Sequence, residues 1–348
     1  MMPTDILAFH ALMAEAYTWF AEGKDAARGM TCLREALAIG KRRDYLNCHP
    51  WWIPKVMSFL FSRALEAGIE PDYLRRFIRH RKVQPDSADV PGWPWPVRVY
   101  TLGAFHVVQD GEPQHTRRKA PLRVLALLQA IIALGANGAH STHSASRERL
   151  TEALWPDADG DAARDAFEVA LHRLRKLLHG EQAIRLEGGL VTFDSRHVWI
   201  DTKAFEQFAD EIQREPDASA AGQAAFTHTV DKALTLYAGH FLADQMEQPW
   251  LLPTRERLRS KFERLIERAG AHWEQTDALA AATNLYQRAI ELDPLAEAVY
   301  RHLMRAHAKA GRSAEALATY HRCQHMLSVV LGITPAPETE ALRASLAA

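Results

Sequence analysis

The residues best placed to do chemistry stand between positions 163 and 178, in the run ARDAFEVALHRLRKLL. At about 100° per residue, Ala163, Phe167, Ala170, Leu171, Leu174, Leu177 and Leu178 fall in one arc of roughly 120°. Arg164, Asp165, Glu168, His172, Arg175 and Lys176 lie opposite. One face must be buried, and the other carries long, mostly cationic side chains. Such a helix suits the major groove of a DNA duplex, where Arg and Lys address guanine and His or Glu address other base edges. Arg173 stands near the margin of the exposed arc, which suits it to phosphate contact. Arg117-Arg118-Lys119 and then Arg123 are placed to neutralise phosphates, and Arg185 to reach the minor groove or flanking backbone. A solvated amphipathic helix carries the same pattern, so the helix alone decides nothing.

The elements around it sharpen the choice. VRVYTLGAFHVVQDGEPQ (97–114) alternates at period two and holds Asp110-Gly111, a hairpin signal. APLRVLALLQAIIALG then reads as a helix with Val124, Leu127, Leu128 and Ile131 on one face. The loop ANGAHSTHSA follows, then a short helix RERLTEALW ended by Pro156, then a longer helix from about residue 162 to 179. AIRLEGGLVTF reads as a hairpin about Gly188-Gly189, and HVWID as a strand. Strands, three helices and a hairpin, in that order, are the plan of a winged helix-turn-helix domain.

Two helical segments flank it. Residues 1–82 show only helical periodicity, with Gly23 and Gly40 as stops and Pro71 at a helix start. QPDSADVPGWPWP (84–96) has four prolines and no apolar period, marking a linker over 83–96 that Trp93 and Trp95 pin against a neighbour. From residue 201 to 348 the pattern is helical again. A shift of 34 places Ala282 on Ala316, Tyr286 on Tyr320 and Ala289 on Cys323, the small–aromatic–small positions of a tetratricopeptide-like pair, with Gly270 and Pro294 in register. The expected fold is therefore mainly α with a small β component. A winged domain (97–200) stands between helical-repeat segments 1–82 and 201–348.

Rival chemistries find little support. His140 and His143 have no thiol nearby, and His228 has no local second ligand, so no metal is expected. Ser141, Ser144 and Ser146 lack a G-x-S-x-G elbow, and Gly188-Gly189 is a turn rather than a phosphate cradle, so neither a catalytic residue nor a cofactor is expected. Tyr286, Tyr320 and Trp273 fit repeat cores, and Tyr100, Trp155 and Trp199 the winged-domain core. Cys32, Cys48 and Cys323 are too scattered for a disulfide framework. The 348 residues carry 42 Lys+Arg against 43 Asp+Glu, which excludes a uniformly basic coat but not local patches. Residues 97–200 hold 13 basic and 12 acidic side chains, a balance that keeps a protein-docking role for this domain open. No apolar run reaches the ~18 residues that span a bilayer, and no signal-peptide layout opens the chain, so a cytoplasmic, membrane-free protein is expected.

The motifs TLGAFHV…QDGEP, ERLTEALWPDADGDAARDA and VALHRLRKLL resemble the OmpR-like winged helix of SARP-type regulators. DTKAFEQF, KALTLYAGHFL, Trp250 with LPTRERL, and ELDPLAEAVYRHLMRAHAKAGRSAEALATYHRCQHMLSVVLGITPAPET resemble the bacterial transcriptional activator domain. Together these span about residues 97–348. Residues 1–96, with PDYLRRFIRHRKV and GWPWPVRV, resemble the helical segment preceding this pair in large MalT-like regulators. Those carry an upstream ATPase domain. This chain has no G-x-x-x-x-G-K-[ST] loop, so it matches their C-terminal part, and an ATPase domain in a longer native chain is an expectation. The resemblance implies promoter DNA as ligand, activation of transcription, RNA polymerase as partner, and dimerisation through the helical repeats. It assigns DNA contact to Arg164, Glu168, His172, Arg173, Arg175 and Lys176. The loop ANGAHSTHSASRE is longer than the family's pattern. The competing reading is a protein-interaction scaffold whose winged domain docks protein.

Overall fold

The computed structural model describes residues 4–21, 23, 25–47, 52–113, 122–135, 144–246 and 248–347. Two compact units emerge: Met1–Val99 with Val107–Ile200, and Tyr100–His106 with Asp201–Ala348. The expected boundary at 83–96 therefore does not separate compact units, because the N-terminal helices and the winged domain share the first one. The segment 100–106 belongs with the second.

In the first unit, α1 (Thr4–Ala21), α2 (Ala26–Arg43), α3 (Pro54–Glu66) and α4 (Pro71–Arg81) come first. Asp25 caps α2 by accepting from the Arg28 amide at 3.0 Å, and prolines open α3 and α4 where no amide partner is needed. Leu33, Leu37, Leu60, Phe61, Leu74 and Phe77 form the core beneath these helices. The proline-rich stretch that follows is clamped. Trp95 donates through Nε1 to the Ser195 carbonyl at 3.0 Å, and Trp199 donates to the Ala88 carbonyl at 2.6 Å. The Arg98 guanidinium lies 5.2 Å from the Trp95 ring centre and 5.7 Å from that of Trp199. Trp93 and Trp95, only 2% and 5% exposed, do pin the segment, as expected.

The winged domain follows: β1 (Val97–Tyr100), β2 (His106–Gln109), β3 (Glu112–Pro113), α5 (Leu122–Gly135), β4 (Ser144–Ser146), α6 (Arg147–Leu154) and α7 (Gly160–Leu177). A 3-10 turn over Glu181–Ala183 leads to β5 (Ile184–Glu187), β6 (Leu190–Phe193) and β7 (Val198–Ile200). One sheet has the order β3-β2-β1-β7, with β1 and β7 parallel and Val97 opposite Val198. The other has the order β4-β6-β5. β4 was expected as loop. Its three residues are too few to show a period, yet Ala145 is buried and pairs with Val191.

The second unit contains α8 (Asp201–Ile212), α9 (Ala220–Leu236), α10 (Leu252–Gln275), α11 (Leu279–Leu292), α12 (Glu297–Lys309), α13 (Ser313–Leu331) and α14 (Pro337–Ala347). The repeat positions Ala282, Tyr286, Ala289, Ala316, Tyr320 and Cys323 are all buried. Gly270 has no side chain because the Tyr286 hydroxyl occupies the space a Cβ would need. Asp201, at the head of α8, is 1% exposed and accepts four hydrogen bonds: the Thr101 amide at 2.6 Å, the Thr101 hydroxyl at 2.7 Å, the Leu102 amide at 2.7 Å and its neighbour's amide at 2.8 Å. Burial raises its carboxyl pKa against the pull of those donors.

Candidate nucleic-acid interface

α7 is amphipathic because its apolar residues follow the helical period, and it begins where Asp159 accepts from the Ala162 amide at 2.8 Å. It starts and ends two residues before the sequence expectation, since the Asp159 cap fixes the start and His179 at φ 64° follows the end. Ala163, Phe167, Ala170, Leu171 and Leu174 are buried, with Phe167, Leu171 and Leu174 fully so. They pack against α5 and α6, where Leu127, Leu128, Ile131 and Leu150 are also at 0% exposure. This packing holds the outer face of α7 in a fixed orientation.

That outer face divides in two. Asp161, Arg164, Asp165 and Glu168 occupy its first half, and His172, Arg173 and Lys176 its second. Acids near the start and bases near the end also complement the helix dipole. Arg164, Arg173 and Lys176 are exposed and meet no carboxylate among the described residues. Arg175 departs from the expectation: its side chain is only 22% exposed and bonds Glu181 at 2.9 Å, with Nε buried and unpartnered. Arg173, expected at the margin, stands out instead. The buried arc, centred on Phe167 and Leu174, comes within about 40° of Arg175 and about 60° of Arg173 on the wheel. Glu181 folds back from the 3-10 turn over the near side, and also lies 4.0 Å from the exposed His172 ring.

Val169 is a residue the sequence reading passed over. It is 51% exposed on this same charged face, where a methyl group can meet a thymine methyl. Its signal was a branched apolar residue inside a polar arc.

The wing is β5 and β6 joined by Gly188-Gly189, whose φ of 57° and 79° give the tight turn that favours glycine. Arg185 reaches Asp194 at 2.7 Å rather than standing free, and Arg196 bonds the same carboxylate, Nε to Oδ1 at 2.9 Å. Burial pushes the Asp194 carboxyl up. Hydrogen bonds and charge from Arg196, with a bond from Arg185, outweigh that and hold it well below the usual carboxylate range. The root of the wing is thereby fixed, and Arg185 keeps half its side chain exposed. Ser146 ends β4 and caps α6 by accepting from the Arg149 amide at 3.2 Å, so the wing sheet runs directly into the helix before α7. A concavity of about 500 Å³ between α6 and the start of α7 is lined by Arg147, Glu148, Thr151, Glu152 and Arg164, among others. Arg117, Arg118 and Lys119 lie outside the described residues, as do His140 and His143.

Residues 200–347 match the bacterial transcriptional activator domain. Regulatory protein AfsR of Streptomyces griseus is 29% identical over 256 residues, covering 71% of this chain and 23% of that protein. Regulatory protein AfsR of Streptomyces coelicolor is 27% identical over 260 residues, covering 71% and 24%. The chain thus spans about a quarter of the length of these curated relatives. Among solved structures, Mycobacterium tuberculosis EmbR in complex with a low affinity phosphopeptide matches with a TM-score of 0.52 at 20% identity, over 72% of this chain and 65% of that one. That likeness is one of fold: mainly α, with a winged helix followed by helical repeats. Residues 200–347 are thus similar to the bacterial transcriptional activator domain, and the chain is similar in sequence to the SARP-type AfsR regulators and in fold to EmbR.

Proposed function

We propose that this chain is a sequence-specific DNA-binding transcriptional regulator acting as an activator. The observation that carries the reading is the outer face of α7: Arg164, Arg173 and Lys176 exposed without carboxylate partners among the described residues, on a helix whose other face is locked into the domain core. Cations with no carboxylate partner in their own domain are free to replace the counterions of a phosphate backbone or to read guanine. In this reading α7 enters the major groove, with Arg164, Glu168, Val169, His172 and Arg173 at its surface. Arg185 on the wing contacts flanking DNA, and Lys176 and Arg175 brace the backbone. The helical repeats of the second unit hold RNA polymerase or a second copy of the chain.

Random-site selection with the purified chain, followed by affinity measurement against salt, tests this. A selected site and a log–log salt slope of several units are expected. Arg173→Ala combined with Lys176→Ala should weaken binding about tenfold or more and flatten the slope by about two, leaving the thermal midpoint unchanged. Failure of the wild type to bind any duplex overturns the reading. The scaffold alternative, in which the winged domain docks protein, requires that same double variant to leave every activity intact.

A further inference from the structure

We infer that the outer face of α4 is a second anchoring surface for duplex DNA, gripping the backbone beyond the wing. The inference rests on the reading of the α7–wing surface as a DNA-binding face, and extends it to a helix that lies outside the winged domain in sequence.

Arg75 and Arg79 stand one turn apart on one side of α4, and Lys82 follows the helix as its C-cap residue, in the left-handed region at φ 51°. Arg75 is held by Asp72 at 3.2 Å and by the Gly92 carbonyl at 3.2 Å. Arg79 is exposed and meets no carboxylate among the described residues. Lys82, also exposed, pairs with no carboxylate among the described residues; its charge acts on the His197 ring, and it donates to the neutral Gln182 side chain at 3.4 Å. That contact places it beside the 3-10 turn between α7 and the wing. Glu181, the next residue, holds Arg175 of α7, and Arg185 of β5 lies three residues further on. Gln84 donates to the Ser195 hydroxyl at 3.0 Å, and Trp95 to the Ser195 carbonyl, on the opposite strand of the wing root. The end of α4 and the segment that follows it are therefore fastened to both sides of the wing root within one compact unit.

Cations gathered in the last turn of a helix complement its dipole, and that alone accounts for their presence at the end of α4. It does not account for their junction with the wing. There, Lys82 adds a cation beside the wing root that carries Arg185, and among the described residues no carboxylate pairs with Lys82. A flexible acidic protein segment would be served by cations anywhere on the unit. A stiff duplex lying along the wing meets the α4 stripe only because the tryptophan clamp holds that helix in place.

The test uses the full chain and its selected site in three duplexes: the minimal site, the site extended by about ten base pairs on the wing side, and the site extended equally on the other side. Wild type should bind the wing-side extension about five- to tenfold more tightly than the minimal site. Arg79→Gln combined with Lys82→Gln should bind the minimal site as wild type does, yet lose that gain, with a salt slope shallower by nearly two on the wing-side duplex only. An unchanged thermal midpoint shows that the variant is folded, and Lys82→Glu alone should reproduce the loss. No gain from the wing-side extension, or a loss shared by all three duplexes, overturns the α4 proposal while leaving the α7 reading intact. Failure of wild type on the minimal site overturns the α7 reading itself.

Discussion

α7 and α10 look alike as strings of letters, and α10 is the more heavily charged. RERLRSKFERLIER, within α10, alternates cations and anions at helical spacing just as ARDAFEVALHRLRK does in α7. In the folded molecule they behave in opposite ways. On α10, Arg257 bonds Glu206, Lys261 bonds Asp210 at 2.8 Å, Arg268 bonds Glu215 at 2.7 Å, and Arg259 bonds the buried Asp293 at 2.9 Å. Apart from the exposed Arg264, the cations of α10 stitch it to its neighbours in the second unit. Among the described residues, only Arg175 on α7 is held in this manner, while Arg164, Arg173 and Lys176 face outward without a carboxylate. A charged helix whose cations are satisfied inside its own unit is scaffold, and one whose cations are left over is surface for a partner.

The comparison breaks first at its most buried point. Asp201→Ala strips the Thr101 and Leu102 amides of their acceptor in a fully desolvated place, and should destabilise the second unit by about 3 kcal/mol. Urea unfolding followed by circular dichroism would show the lowered midpoint, whereas an unchanged midpoint would mean that the amides find other partners. Affinity for a short duplex should be unaffected at concentrations where the protein remains folded.

A smaller effect concerns the wing. The Asp194 carboxyl is held below its unfolded value, so its contribution to stability is fully present above the ordinary carboxylate range and is lost as pH falls through and below it. Asp194→Asn should remove on the order of 1 kcal/mol at pH 7 and, because the folded carboxyl stays ionised well below the usual carboxylate range, the greater part of that still at pH 3. Thermal melts of both proteins should keep a constant gap from pH 7 down to about pH 5, then narrow it as the unfolded carboxyl protonates, without closing it at pH 3. Curves that stay parallel would show that the Arg196–Asp194–Arg185 cluster does not set the acid response.

The smallest effect separates the two helices most directly. Arg268→Ala breaks a pair whose acid, Glu215, is largely exposed, and should cost about 0.5 kcal/mol of stability with no change in DNA affinity. Arg173→Ala should do the reverse, leaving the melting temperature within error and weakening DNA binding several-fold. Equal stability losses in the two variants would erase the distinction between the helices.

Much of this was legible in advance. The apolar period of α7, the Gly188-Gly189 turn, the aromatic positions of the repeats and the tryptophan-pinned segment all arise from local pattern, which sequence carries directly. β4 was not legible, because three residues pairing with β6 leave no periodic trace. The exposure of Arg173 and the half-burial of Arg175 were read in the wrong order, since a wheel assigns angle but not how far the buried arc extends. The part that Glu181 plays in that burial depends on a turn that folds back over the helix, and nothing in the spacing of residues 172–181 announces it.

The sequence by itself determined which segments are helices and strands, which faces are apolar, and the order that makes a winged domain followed by an activator domain. These depend on period, caps and turn residues, which act over a few neighbours. Only the tertiary structure decided which charges are spent. It tied Arg257, Lys261 and Arg268 to acids about fifty positions away, buried Asp201 under the 101–102 backbone, and brought Lys82 to Gln182 across a hundred residues. Ion pairing falls off within a few ångströms in water, so whether a cation is available to a partner depends on its folded neighbours and not on its place in the chain.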